Sequence, residues 1–118
     1  MDNFEETLRM ASNGDMIAQY EIGAFYERQG NYDNAMPWLK QSAEQEYDLA
    51  QYMIALNYEK GLGSSKDYEK AAYYFLLSTK QGFKSSMFEL STMYELGLGV
   101  PRDYQKANFW RDKYYEPE

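Results

Sequence analysis

The chain of 118 residues carries 19 acidic and 12 basic side chains, a net charge of −7 and a pI near 4.6. That balance opposes nucleic-acid backbones and anionic membrane surfaces and favours a basic protein as partner. Cysteine and histidine are both absent, which excludes a disulfide framework, a thiol nucleophile, thiolate metal sites and the commonest general base. No catalytic residue, cofactor or metal site is expected, and a carboxylate-dependent hydrolase is the remote enzymatic alternative.

A repeat orders everything else. Gly61-Leu62-Gly63-Ser64-Ser65-Lys66-Asp67-Tyr68-Glu69-Lys70-Ala71 recurs as Gly97-Leu98-Gly99-Val100-Pro101-Arg102-Asp103-Tyr104-Gln105-Lys106-Ala107, 36 residues later. A period of that size marks a stack of small units, each unable to bury its apolar face alone. The first segment, residues 1–14, starts with an acidic stretch that lacks the apolar core of a secretion signal. No part of the chain approaches the length of a membrane span, and a cytoplasmic location is expected. Leu8, Ala11 and Gly14 read as the tail of a second helix, so the chain opens on a half unit that caps the stack.

Three full copies follow, at residues 15–46, 47–82 and 83–118, within a single domain of residues 1–118. Each reads as helix, turn, helix. With Met16 as position 1 of the first helix, positions 3, 7, 8 and 11 are Ala18, Ile22, Gly23 and Tyr26. The next copies place Ala50, Ile54, Ala55 and Tyr58, then Ser86, Leu90, Ser91 and Tyr94, in the same register. At about 100° per residue these positions form one stripe, the predicted core face. In the first copy Gln29-Gly30-Asn31 replaces the longer Gly-Leu-Gly loop, which shortens that period to 32 residues. Asp67 and Asp103 are predicted N-caps of second helices. Pro37, several residues into the first copy's second helix, predicts a start delayed to about Asn34 or a distorted first turn. Tyr114-Tyr115 replace the small pairs Ser42-Ala43 and Ser78-Thr79 and are expected to cover the end of the stack.

The pattern Ala-x-x-x-(Leu/Ile)-Gly-x-x-Tyr, followed by Gly-x-Gly-Val-x-x-Asp-Tyr-x-Lys-Ala-x-x-Trp, resembles the Sel-one-like repeat, a relative of the tetratricopeptide repeat. The third copy, through Trp110, matches almost letter for letter. The second has Ala55, Ser64 and Tyr74 where the pattern has Gly, Val and Trp. The resemblance implies an all-α, right-handed α/α solenoid of about seven helices that binds proteins and performs no chemistry. Its motif residues are structural.

In a tetratricopeptide-like stack the first helices line the concave wall. Position 5 of those helices is Tyr20, Tyr52 and Phe88, about 135° from the centre of the core stripe. These rings are expected to stack along that wall, with Ile17, Leu49 and Leu56 beside them. Glu27, Glu59 and Glu95, each following the position-11 tyrosine, form a row of carboxylates, to which Glu21 and Glu89 add. Aromatic anchors with aligned carboxylates suit a basic protein surface. The expected role is a small acidic inhibitor or immunity-type protein, a monomer or weak dimer, sequestering a basic protein such as a bacterial toxin. The alternative is a regulatory adaptor joining larger proteins.

Overall fold

The computed structural model describes residues 3–117. Seven helices follow one another: α1 (Phe4–Ser12), α2 (Met16–Arg28), α3 (Tyr32–Glu44), α4 (Asp48–Lys60), α5 (Tyr68–Lys80), α6 (Lys84–Leu96) and α7 (Tyr104–Tyr115). Among the described residues there is no strand. Each helix packs on the one before it and the one after it, most extensively within the pairs α2–α3, α4–α5 and α6–α7. The resulting solenoid measures 47 × 33 × 20 Å, and its radius of gyration is 15.0 Å. A compact globule of this length would have about 13.5 Å.

The register read from the repeat is the core. Ile22, Ile54 and Leu90 at position 7 are fully buried, and Ala18, Ala50 and Ser86 at position 3 nearly so. From the second helices come Leu39 and Phe75, both fully buried, with Ala35, Ala71 and Ala107 at their shared register. Small residues therefore stand where helices approach most closely, as expected for a stack without thick layers of side chains between its units.

Polar groups inside this narrow core are tied to helix ends. Gln19 Nε2 donates to the Ala11 carbonyl and Gln51 Nε2 to the Ala43 carbonyl, at 3.1 and 3.4 Å. Each is supported from the end of the following second helix: Gln45 donates to the Gln19 side chain and Gln81 to the Gln51 side chain. Ser42 and Ser78 hydroxyls donate back to the Met16 and Asp48 carbonyls. Every buried side-chain nitrogen or oxygen among the described residues has a partner, which removes the large penalty of an unsatisfied buried polar group.

The caps follow the sequence where side chains permit. Asp67 accepts from the Lys70 amide, and Asp103 from the amides of Gln105 and Lys106. Asp15 and Asn31 do the same for α2 and α3. Asn31 corrects the expectation of a late start: α3 begins at Tyr32, in line with its counterparts, and carries Pro37 as an exposed interior residue. The missing proline N–H falls on the solvent side, where water can serve the freed carbonyl.

The end of the stack is also built differently from the expectation. Tyr114 is half-buried against Phe88, with ring centroids 5.2 Å apart. Tyr115 is 69% exposed and covers little. The decisive changes lie earlier in α7. Asn108 and Arg111 occupy the register of the buried Ala72 and Phe75. Polar side chains of α7 thus stand where α5 carries apolar ones. Lys84 completes this end by donating to the carbonyls of Lys113, Tyr114 and Glu116.

Candidate functional site

The first helices α2, α4 and α6 lie side by side, joined by side chains that reach from one to the next. Asn57 of α4, itself buried, donates its amide to the Glu27 carboxylate of α2. Positions 5 and 12 of each helix are separated by two turns, about 10 Å, on one side. Hence Tyr20 stands with Glu27, Tyr52 with Glu59, and Phe88 with Glu95.

The rings do not form the continuous stack expected of them. Each packs on a residue at or beyond the end of its own unit. Tyr20 meets Tyr47 edge-on at 5.5 Å, and Tyr52 meets Phe83 at 5.1 Å and the core residue Phe75 at 6.0 Å. Phe88 meets Tyr114. Tyr47 and Phe83 are the N-cap residues of α4 and α6 and accept no capping hydrogen bond. Those two helix starts thus carry ring packing where α2, α3, α5 and α7 carry a side-chain cap. Tyr20 and Tyr52 remain half-buried, while Phe88 is 40% exposed. Ile17 is 50% exposed. Leu49 is half-buried, and Leu56 is half-buried against the main core.

The carboxylates are not equivalent. Glu95 forms an ion pair with Arg111, 3.4 Å away. Burial pushes the Glu27 carboxyl above its ordinary range, and the hydrogen bond from Asn57 opposes that shift. Glu59 is also raised, first by burial and then by the charge of Glu89 on the adjacent helix; Lys60 and Lys66 offset part of this. The same Glu89 charge, added to burial, raises the Tyr52 phenol above its ordinary value. Glu21 is exposed. The wall therefore has a centre: Tyr52 with Glu59 and Glu89, two carboxylates that among the described residues share no ion pair.

Sequence reasoning did not find Tyr47, Phe83, Asn57 or Arg111 as parts of this wall. A signal existed for the first two, because Tyr47 and Phe83 are 36 residues apart and share a register. No periodic signal marked Asn57, whose equivalents are Phe25 and Met93.

A model of the Sel1 repeat matches residues 17–47, 48–83 and 84–110. The chain belongs to the Sel1 repeat family. Sel1 repeats are typically protein–protein interaction modules of a non-catalytic scaffold type. Among solved structures, this Sel1-repeat chain is similar to c5321, a protective antigen of uropathogenic Escherichia coli strains with an SLR fold. The TM-score is 0.88 and the identity 31%, over 95% of this chain and 25% of that one. It thus spans a quarter of that relative's length. A Sel1 repeat protein from Oxalobacter formigenes is similar with a TM-score of 0.87 and 26% identity, over 93% and 87% of the two chains. Helicobacter pylori cysteine rich protein B shares the fold, with a TM-score of 0.74 at 18% identity over 96% and 84%. A sequence search of proteins with curated functions finds no match. No helix among the described residues is long and apolar enough to cross a membrane.

The raised Glu59 carboxyl has a measurable consequence. Between the ordinary value of 4.5 and the raised native value, the folded Sel1-repeat chain holds more protons than the unfolded one. Stability falls as pH rises through that window and is regained as pH drops back towards it. Glu59→Gln removes this dependence. Chemical denaturation across pH should show the variant at least as stable as the parent at neutral pH, with the difference closing on acidification. A variant that loses stability at neutral pH would mean that the charged carboxylate is held by favourable partners.

Proposed function

We propose that the wall of α2, α4 and α6 recognises a basic protein, and that the chain acts as a small acidic inhibitor of immunity type that sequesters its partner, for example a bacterial toxin. The observation that carries the reading is the centre of the wall. Tyr52 offers a ring already fixed by Phe75 and Phe83, which limits the entropy lost when a partner covers it. Glu59 and Glu89 lie beside it as like charges whose mutual repulsion a lysine or arginine would relieve. The net charge of −7 would speed encounter with a basic surface.

The test is kinetic. Glu59→Lys with Glu89→Lys should slow association with the partner recovered from the native source by about tenfold or more at low salt, and should flatten the salt dependence of the rate. Circular dichroism serves as the folding control. Unchanged association at low salt by the folded variant would place the basic contact elsewhere.

A further inference from the structure

A second surface lies outside this wall, between the end of α3 and the middle of α5. A cavity of about 330 Å³ opens there, lined by Glu44, Glu46, Gln51, Tyr73, Tyr74 and Leu77. Its aromatic side is a ring pair: Tyr73, 58% exposed, stands edge-on to Tyr74, with centroids 5.1 Å apart. Its polar side is two exposed carboxylates, Glu44 and Glu46, which form no ion pair among the described residues. No basic side chain lines it. The nearby Lys40 is directed over the Tyr58 ring. Gln51 is fixed at both ends of its amide, to the Ala43 carbonyl and to Gln81.

Two comparisons within the chain give this groove a meaning. One concerns the backbone. Glu46 has φ +65°, the one described non-glycine residue with positive φ, in the register filled by Gly14 and Gly82 in the flanking turns. A carboxylate is therefore held where the backbone favours glycine. The other concerns the corresponding place one unit later. There Tyr73 is replaced by Phe109, Leu77 by Lys113, Glu44 by Lys80 and Glu46 by Gly82. In that copy the Lys113 ammonium lies over the Phe109 ring, 5.8 Å from its centroid. The chain thus supplies its own cation to one exposed ring. At the other it supplies leucine, and sets two carboxylates around an uncovered tyrosine.

We infer that the Tyr73–Glu44–Glu46 groove receives a cationic side chain, arginine or lysine, from a partner protein, in the place that Lys113 fills by itself one unit later. Guanidinium suits it best, since its plane can lie on the tyrosine face while its N–H groups meet a carboxylate. The groove gives the protein a second contact, formed mainly by α3, the turn after it and α5, away from the Tyr52 centre of the wall.

Amide-shift mapping by NMR tests this with an unstructured peptide of serine, glycine and arginine, against the same peptide with neutral citrulline for arginine. The arginine peptide should move the resonances of Glu44, Glu46, Tyr73, Tyr74 and Leu77, and the citrulline peptide should move them much less. Tyr73→Ala should weaken binding at this site by about fivefold or more. Glu46→Gly should also weaken it while raising the melting temperature, a combination that a purely structural role for Glu46 does not produce. Leu77→Lys should block the groove by copying the Lys113 arrangement. Shifts confined to the wall around Tyr52 would overturn this inference and leave the wall's role standing. It is also overturned by equal binding of the citrulline peptide, by the absence of shifts, or by parent-like binding at the groove in folded Glu46→Gly and Leu77→Lys.

Discussion

Gly99→Ala should cost about 2–5 kcal/mol of folding stability. The figure combines about 1–2 kcal/mol for a left-handed non-glycine residue with about 1–3 kcal/mol for overpacking. Gly99 has φ +71°, and a methyl carbon built there would lie 2.1 Å from the Tyr68 carbonyl oxygen and 2.8 Å from the Glu69 amide nitrogen. Both atoms belong to the first turn of α5, so no side-chain rotation can make room. The loop after α6 is thereby pressed onto the start of the preceding unit's second helix. Gly82→Ala is the control. Gly82 also has positive φ, but nothing stands within 4 Å of an added methyl, and only the backbone cost of about 1–2 kcal/mol applies. Urea denaturation should separate the two variants clearly. Equal losses would mean that the loop does not depend on this close approach.

Tyr52→Ala should be the largest single loss in binding, about 2 kcal/mol or more, expressed mainly as faster dissociation. The ring stands in the middle helix of the wall, supported by both Phe75 and Phe83. Phe88 is the comparison. It is 40% exposed and rests on Tyr114 near the end of the stack, where water is excluded less completely. Surface plasmon resonance against the recovered partner should rank Tyr52→Ala well above Phe88→Ala. Since Tyr52 is half-buried and packs on core residues, both dissociation rates are to be read alongside thermal melts of the free proteins.

The fold was legible because its determinants are local and repeated. Ala50, Ile54 and Tyr58 reappear as Ser86, Leu90 and Tyr94 in one register, and that register alone sets which face of each helix is buried. What escaped depends on contacts between units. The pairing of Tyr20 with Tyr47 and of Tyr52 with Phe83 crosses from one first helix to the start of the next. A helical projection of a single unit therefore stacked the rings on one another. The carboxylate row was likewise read as uniform. Arg111 neutralises Glu95 from the register where earlier units bury Leu39 and Phe75, a contact between α6 and α7 that the pattern of the first helices alone does not show. Pro37 misled for a different reason: proline's cost depends on where its missing hydrogen bond falls, and here it falls on an exposed face.

Site-specific photocross-linking in the native source tests the role of the wall most directly. A benzoylphenylalanine at position 52 and another at position 104 compare the centre of the wall with Tyr104, which is 59% exposed at the start of α7. The expected result is one discrete adduct from position 52, with a basic protein identified by mass spectrometry. That adduct should be lost when Glu59 and Glu89 are reversed to lysine, and position 104 should give none of it. Adducts from position 104 alone, or an acidic partner at position 52 that survives the charge reversal, would contradict the assignment of this wall as a surface for basic proteins.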